Sequence, residues 1–269
     1  MKIGITGSKG FIGQNLLKYL HNNHIDCVEL DSALLDSFSK QEISHIVHLA
    51  AKTSVQDSFD NIPLFLESNV TLTAKVLDFA VKIGASVTLF STYGYYPSNN
   101  IASPYHLTKE FSEQLAFFYY QKFGLPINIL RLASVYGAGQ KKGHLIPTIL
   151  EQVLNPEIKE IVVKSLSSKR VYTDVRDVVR FILTSCQHRE GFHINYAGNS
   201  EFHSVEELIQ KSLLISGSSK PYKEMFSDEQ DLILSTLEKN ATIKNSFPWT
   251  PLYSLDEGLN HLIGCMQQS

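Results

Sequence analysis

Thr6-Gly7-Ser8-Lys9-Gly10-Phe11-Ile12-Gly13 decides how the rest of the chain is read. The stretch has the form T-G-x-x-G-x-x-G. It follows a short apolar run, Ile3 to Ile5, suited to a buried strand. It precedes Leu16, Leu17 and Leu20, which share a helical face with Ile12. The glycines therefore fall where a strand gives way to a helix, as a dinucleotide pyrophosphate requires. Gly7 permits the tight turn, Gly10 lets the backbone approach the phosphates, and Gly13 lets the helix pack on the strand. The helix start offers unpaired N–H groups and the positive end of its dipole to the anion. Phe11 and Ile12 join the three glycines as candidate cofactor contacts. Alone, such a motif is equally compatible with a structural turn. Asp31 adds to it by ending the next apolar stretch, Cys27 to Leu30, 18 residues after Gly13. A carboxylate there accepts hydrogen bonds from the adenosine ribose and repels a 2′-phosphate. No arginine follows at Ser32, Ala33 or Leu34, so NAD is favoured and NADP stays open. A turn aspartate is the competing reading of Asp31.

The chain has 269 residues, 43% of them hydrophobic and 19% charged, which fits one large domain or two joined lobes. A net charge of −3 gives no reason to expect nucleic acid or an anionic membrane as partner. No apolar run is long enough to span a bilayer, and Thr6, Ser8 and Lys9 interrupt any secretory leader. Three distant cysteines, Cys27, Cys186 and Cys265, suit a reducing cytoplasm. No metal site is expected, because His45 and His48 lie three apart on a predicted strand and point to opposite faces.

Predicted strands at 3–6, 26–31, 45–50, 87–91 and 127–131 alternate with predicted helices at 11–21, 63–83 and 104–123. That alternation predicts an α/β fold: a Rossmann-type, doubly wound parallel sheet whose strand ends share one ligand-facing edge. After Tyr136 the pattern loosens into a glycine loop, a strand at 160–163, a helix at 175–183 and a strand at 191–196. A helix over 204–215 carries the capping box Ser204/Glu207. Residues 1–136 and 171–198 are assigned to the dinucleotide domain. Residues 137–170 and 199–269 are assigned to a smaller, mainly C-terminal substrate-binding lobe.

The chemistry centres on Tyr105-His106-Leu107-Thr108-Lys109, a Y-x-x-x-K. Ser103 caps and Pro104 opens the helix, so Tyr105 and Lys109 lie one turn apart on one face. A phenol is a poor base at neutral pH, and a neighbouring ammonium stabilises its phenolate. Tyrosine then exchanges a proton with a substrate oxygen while hydride moves to or from nicotinamide, whose ribose Lys109 can also reach. The pair also arises by chance on amphipathic helices. Ser91 and Thr92, which end the preceding strand, make chance a poorer account: either hydroxyl can bond the same substrate oxygen. Thr92 is the first candidate and Ser91 the second.

These motifs, in this order, resemble the extended short-chain dehydrogenase/reductase family of nucleotide-sugar epimerases, dehydratases and reductases. His48-Leu49-Ala50-Ala51 is similar to the family's H-x-A-A strand end, which implies cofactor contacts at Leu49, Ala50 and Ala51. Asn69 matches the asparagine of the long helix behind the active site. Arg131 to Gly137 resembles R-x-x-N-x-Y-G, with Ser134 in the substrate-binding asparagine's place. Arg170 to Asp177 is similar to R-D-F-x-x-V-x-D, which implies that Arg170 grips a substrate diphosphate. Trp249-Thr250-Pro251 and Leu255 to Leu259 look like the closing segment. Two departures stand out. Tyr93-Gly94 replaces the acid/base pair that dehydratases carry after the threonine, which argues against water elimination. No arginine occurs in 217–247, leaving Lys220 or Lys223 as substitute phosphate ligands. Arg176 reads as a surface helix residue.

The resemblance implies an NAD(P)-dependent enzyme acting on a sugar hydroxyl or keto carbon of a nucleotide-activated sugar. A nucleotide-sugar epimerase is placed ahead of a 4-keto-reductase, and a non-catalytic dinucleotide sensor is the remote alternative. Relatives pair through the 63–83 and 104–123 helices, so a homodimer is expected.

Overall fold

A computed structural model describes residues 1–31, 43–93, 103–198, 201–225 and 245–268. Ser32 to Leu34, Gly94 and most of 217–247 lie outside them. Six parallel strands form the central sheet: β1 (Lys2–Thr6), β2 (Cys27–Leu30), β3 (Ile43–His48), β4 (Ser86–Thr92), β5 (Ile127–Leu132) and β10 (Phe192–Ala197). Their spatial order is β10-β5-β4-β3-β1-β2. Strands β1 and β3 are buried along almost their whole length because both of their faces are covered, and β3 carries its buried polar residues, His45 and His48, on side-chain hydrogen bonds. The order reverses at β1, which lies between β2 and β3, so a ligand crevice is expected beyond the carboxyl ends there. Among the described residues β2 is the outermost strand on its side.

Helix α1 (Phe11–Asn22) packs on one face of the sheet with α7 (Val175–Gln187), around Ile3, Leu16, Val47, Leu130 and Phe181. The opposite face carries α4 (Leu72–Ile83) and α5 (Pro104–Phe123), around Ile46, Val76, Leu77, Val87 and Ile129. The predicted 63–83 helix is present but not regular. It begins as α3 (Ile62–Leu66), widens into a π turn at Glu67–Thr71, and resumes as α4. Such bulges are concentrated at functional sites, and this one contains Asn69.

A second core lies beyond the carboxyl edge. It joins Tyr136 of β6 (Ser134–Tyr136) to α6 (Leu145–Leu154), β7 (Ile161–Val163), α8 (Val205–Ser216) and α9 (Leu255–Gln267). Strands β8 (Lys169–Arg170) and β9 (Tyr172–Asp174) connect it to the sheet, with β9 parallel to β6. Sequence reading missed three helices. Short α2 (Val55–Asp60) rests on its Ser54 cap. In α6, Pro147 sits in the first turn, where proline costs no hydrogen bond. The Ser254/Glu257 capping box of α9 was a usable signal.

The closing segment is fastened by polar anchors. Asp177 is fully buried and accepts from Leu252 and Tyr253 backbone N–H groups as well as from Arg180. Arg176, read as a surface helix residue, is a partly exposed residue of α7 that also holds two specific partners. It forks onto Asp174 at 2.8–2.9 Å and stacks 3.7 Å over the Tyr253 ring. Gly258 faces Tyr136 so closely that any Cβ would overlap its hydroxyl.

Candidate active site

The glycine loop has the geometry its sequence demands. Gly7 has φ +69°, and a Cβ on it would lie 2.5 Å from the Ala50 nitrogen. A Cβ on Gly13 would collide with the Gly7 carbonyl. Gly10, as N-cap of α1, has no side chain to consume the first helical N–H groups, so they face outward for an anion. His48 braces this loop from beneath. Its Nδ1 is 2.6 Å from Thr6 Oγ1, and Thr6 Oγ1 in turn accepts from Ala50 N at 3.3 Å. Burial, helped by the nearby Lys109 charge, pushes His48 down to about 3, so it is neutral at working pH. Ser8 donates to Glu29 Oε2 at 2.5 Å, tying the loop to β2. Asp31 lies at the exposed end of β2.

Next to the loop opens a cavity of about 420 Å³. Its walls bring together Gly7, Gly10, Phe11, Ile12, Gly13, Leu49, Ala51, Ser91, Thr92, Tyr105, Lys109, Ser134 and Arg170. Strand β4 delivers Ser91 and Thr92, and helix α5 delivers the Tyr/Lys pair. That helix begins where the sequence puts it, with Ser103 Oγ accepting from His106 N at 3.3 Å and Pro104 in the first turn. Lys109 Nζ donates to the Phe90 carbonyl at 3.0 Å and lies 5.9 Å from the Tyr105 ring centre. Burial pushes the Tyr105 phenol up to about 12. It also pushes the Lys109 ammonium down to about 8, with Glu113 opposing. The phenol is thus held protonated by its surroundings, with the Lys109 ammonium one helical turn away. Ser91 Oγ is buried, has no hydrogen-bond partner and belongs to the cavity wall.

Helix α5 is clamped to the sheet by a buried ion pair. Arg131 donates through Nε and Nη2 to both Glu113 oxygens at 2.9 and 2.5 Å, and through Nη1 to the Tyr196 hydroxyl. Glu113 lies one turn beyond Lys109, so the clamp fixes the face of α5 that carries Tyr105 and Lys109.

Three residues expected to contact the cofactor, Asp31, Ala50 and Asn69, lie outside the wall. Ala50 approaches Gly7 from behind. Asn69 is buried and its amide is fully used: Nδ2 donates to Lys52 O and Thr108 Oγ1, and Oδ1 accepts from Lys52 N. It fastens the 49–53 segment to α5 and so positions the wall. Lys220 and Lys223 are already occupied, Lys220 by the Gln152 and Asn155 carbonyls and Lys223 by Glu160, so neither is free for a phosphate. Sequence reading missed Tyr136, Gln140, His144 and Tyr172 of the wall. Tyr136 and Tyr172 sat inside quoted motifs. Gln140 and His144 carried no signal, because they reach the cavity through a loop with Gly137, Gly139 and Gly143 all at positive φ.

A strand-glycine loop-helix cradle beside a hydroxyl, a tyrosine and a lysine defines a dinucleotide-dependent oxidoreductase site. The family model for the NAD dependent epimerase/dehydratase family matches residues 3–197. The chain belongs to that family, nucleotide-sugar enzymes of the extended short-chain dehydrogenase/reductase type that use NAD. It is 24% identical over 251 residues to UDP-glucuronate 4-epimerase of Thermodesulfobacterium geofontis, covering 88% of this chain and 76% of the relative. It is also 24% identical to CDP-abequose synthase of Salmonella typhimurium, covering 96% of each. Its fold superimposes on the structure of MoeE5 in complex with UDP-glucuronic acid and NAD with a TM-score of 0.84. That match has 23% identity over 100% of this chain and 99% of the other. Among the described residues no helix is long and apolar enough to cross a membrane, and no cluster of three metal-ligating side chains occurs.

Proposed function

We propose that this protein is a nucleotide-sugar epimerase. The observation that carries this reading is the convergence of Thr92, Tyr105 and Lys109 with the glycine loop on one cavity wall. Bound NAD supplies reversible hydride acceptance from a sugar carbon. Tyr105 takes the proton of the reacting hydroxyl as the ketone forms and returns it when the opposite face is reduced. Lys109 stabilises the phenolate, and Thr92 orients the oxygen, with Ser91 the second candidate. Asp31 receives the adenosine ribose and Arg170 the substrate diphosphate. The lobe comprising 137–170 and 199–269 binds the sugar nucleotide. The match to a 4-epimerase over 88% of the chain supports inversion at C4.

A 4-keto-reductase that releases its product is the second reading. The relative matched over 96% of both chains is a synthase rather than an epimerase. The deciding experiment is to denature freshly purified protein, identify any released dinucleotide, and incubate the native protein with UDP-glucuronic acid and with UDP-glucose, without added cofactor. One NAD per chain and C4 inversion are expected. An empty protein that leaves both sugar nucleotides unchanged, and oxidises NADPH only when a nucleotide-linked 4-keto-sugar is supplied, overturns the epimerase and favours the reductase.

A cytoplasmic homodimer is part of the same reading. Phe111 and Phe118, two turns apart on α5, and Val81 at the end of α4 are exposed apolar side chains of the expected pairing helices. Sedimentation equilibrium giving a monomer at micromolar concentration would reject that assignment.

A further inference from the structure

Buried hydroxyls and imidazoles take fixed hydrogen-bond directions when a neighbour can play only one role. One such line runs beneath the cavity, through Thr6, His48, Thr73, Asn69 and Thr108, all of them buried. Its direction follows from the Asn69 carbonyl, which can only accept. Thr73 Oγ1 donates to that carbonyl at 2.5 Å, and Ser112 of α5 also donates to it at 2.9 Å. With its proton spent there, Thr73 Oγ1 must accept from His48 Nε2, 3.1 Å away. His48 is neutral, so its Nδ1 is bare and takes the Thr6 hydroxyl proton at 2.6 Å. Thr6 accepts from Ala50 N at 3.3 Å, directly behind Gly7. From Asn69 the line continues into α5. Nδ2 donates to Thr108 Oγ1 at 2.9 Å, and Thr108 donates to the Tyr105 carbonyl at 2.8 Å.

We propose that His48 is a positioning residue that couples the glycine loop to the helix carrying Tyr105, acting as a fixed Nε2–H tautomer between Thr6 and Thr73. This rests on the roles proposed above for the glycine loop and Tyr105. Hydride and proton transfer at one sugar carbon need the cofactor, held from the glycine loop, and the phenol, held on α5, at a set separation. His48 spans the gap between β1, which carries Thr6, and α4, which carries Thr73. An imidazole that accepts at one nitrogen and donates at the other ties these two elements at a fixed distance and angle. None of His48, Thr73 and Thr108 lines the cavity, so they act through the groups that do.

Thr73→Val keeps the side-chain shape and removes the hydroxyl, which strands His48 Nε2–H. NADH affinity by fluorescence titration, and kcat per bound NAD with UDP-glucuronic acid, should each fall about tenfold. Thr73→Ser, which restores the hydroxyl, should recover most of both. A purely structural role would lower the thermal midpoint of Thr73→Val and leave affinity and kcat unchanged, and that result overturns the proposal. So does a Thr73→Ser protein no better than Thr73→Val. Nitrogen-15 NMR of the wild-type holoenzyme tests the line without any substitution. His48 is expected with a bare Nδ1 and a proton on Nε2, and a proton on Nδ1 overturns the coupling. A wild type that binds NADH yet converts no sugar nucleotide overturns the function proposed above, and the NADH affinities then decide the coupling by themselves.

Discussion

The two ends of strand β4 carry similar side chains to opposite purposes. At its start, Ser86 and Thr88 hold both nitrogens of His45 at 2.7 and 2.8 Å. Thr88 also meets Ser185 of α7 at 2.8 Å, and Asn128 donates to the Ser185 and His188 carbonyls. Asn128 Oδ1 is the one unpartnered atom of that group. At the other end, Ser91 has no partner and faces the cavity that Tyr105, Arg170 and Tyr172 also line. Hydroxyl content does not distinguish these ends; satisfaction does. A closed polar network fixes a fold, whereas an open one is completed by a ligand.

Substitutions at the two ends should therefore separate activity from stability. The largest effect is expected at the open end. Tyr105→Phe should lower turnover by about 10²–10⁴-fold with NAD content and thermal midpoint unchanged, measured by single-turnover assay and released nucleotide. An active Tyr105→Phe protein would break the contrast. Gly13→Val comes next. Its side chain must displace the Gly7 carbonyl, so NAD affinity should fall by about 10–100-fold, the overpacking cost of about 1–3 kcal/mol expressed at the loop. Fluorescence titration with NADH checks it. Thr92→Val and Ser91→Ala form a smaller pair. Loss of the hydroxyl that meets substrate should lower kcat by about tenfold, and whichever substitution does so identifies it.

The closed end should answer only in stability. Ser185→Ala leaves Thr88 short of a partner and should cost about 1–2 kcal/mol in urea denaturation, with kcat unchanged. Acid provides a second test. His45 and His48 are both pushed down to about 3 by burial. Above pH 6.5 they are neutral whether folded or unfolded and cost nothing. Between pH 6.5 and about 3 only the unfolded chain binds their protons, so stability falls as the pH falls. His45→Gln should flatten that fall, and an unchanged acid profile would contradict the closed network.

Local pattern explains what was readable in the sequence. The glycine turn, the Ser103-Pro104 helix start and the i, i+4 spacing of Tyr105 and Lys109 are written in neighbouring residues, and so is the β-α alternation. Parts of the site built by distant contacts were not readable. Arg131 clamping Glu113, Tyr172 reaching the cavity and Lys220 being spent on two carbonyls depend on which elements meet. Asn69 shows the intermediate case. Its position was visible, but its three hydrogen bonds, and hence its service to the wall rather than to a ligand, required the π turn to be seen. Strand order is likewise a property of assembly, and the outermost place of β2 followed from no single motif.

The contact between Gly258 and Tyr136 has a consequence for how this enzyme is made. Tyr136 is part of the cavity wall, yet its far side is closed by a helix more than a hundred residues further along. The cofactor cradle and the Tyr105–Lys109 pair are built from elements that end at β10, and Phe247 joins the core beneath them later in the chain. The substrate side is finished only when residue 258 has emerged and docked. The glycine-loop side of the cavity therefore emerges from the ribosome well before the helix that closes the far side of Tyr136.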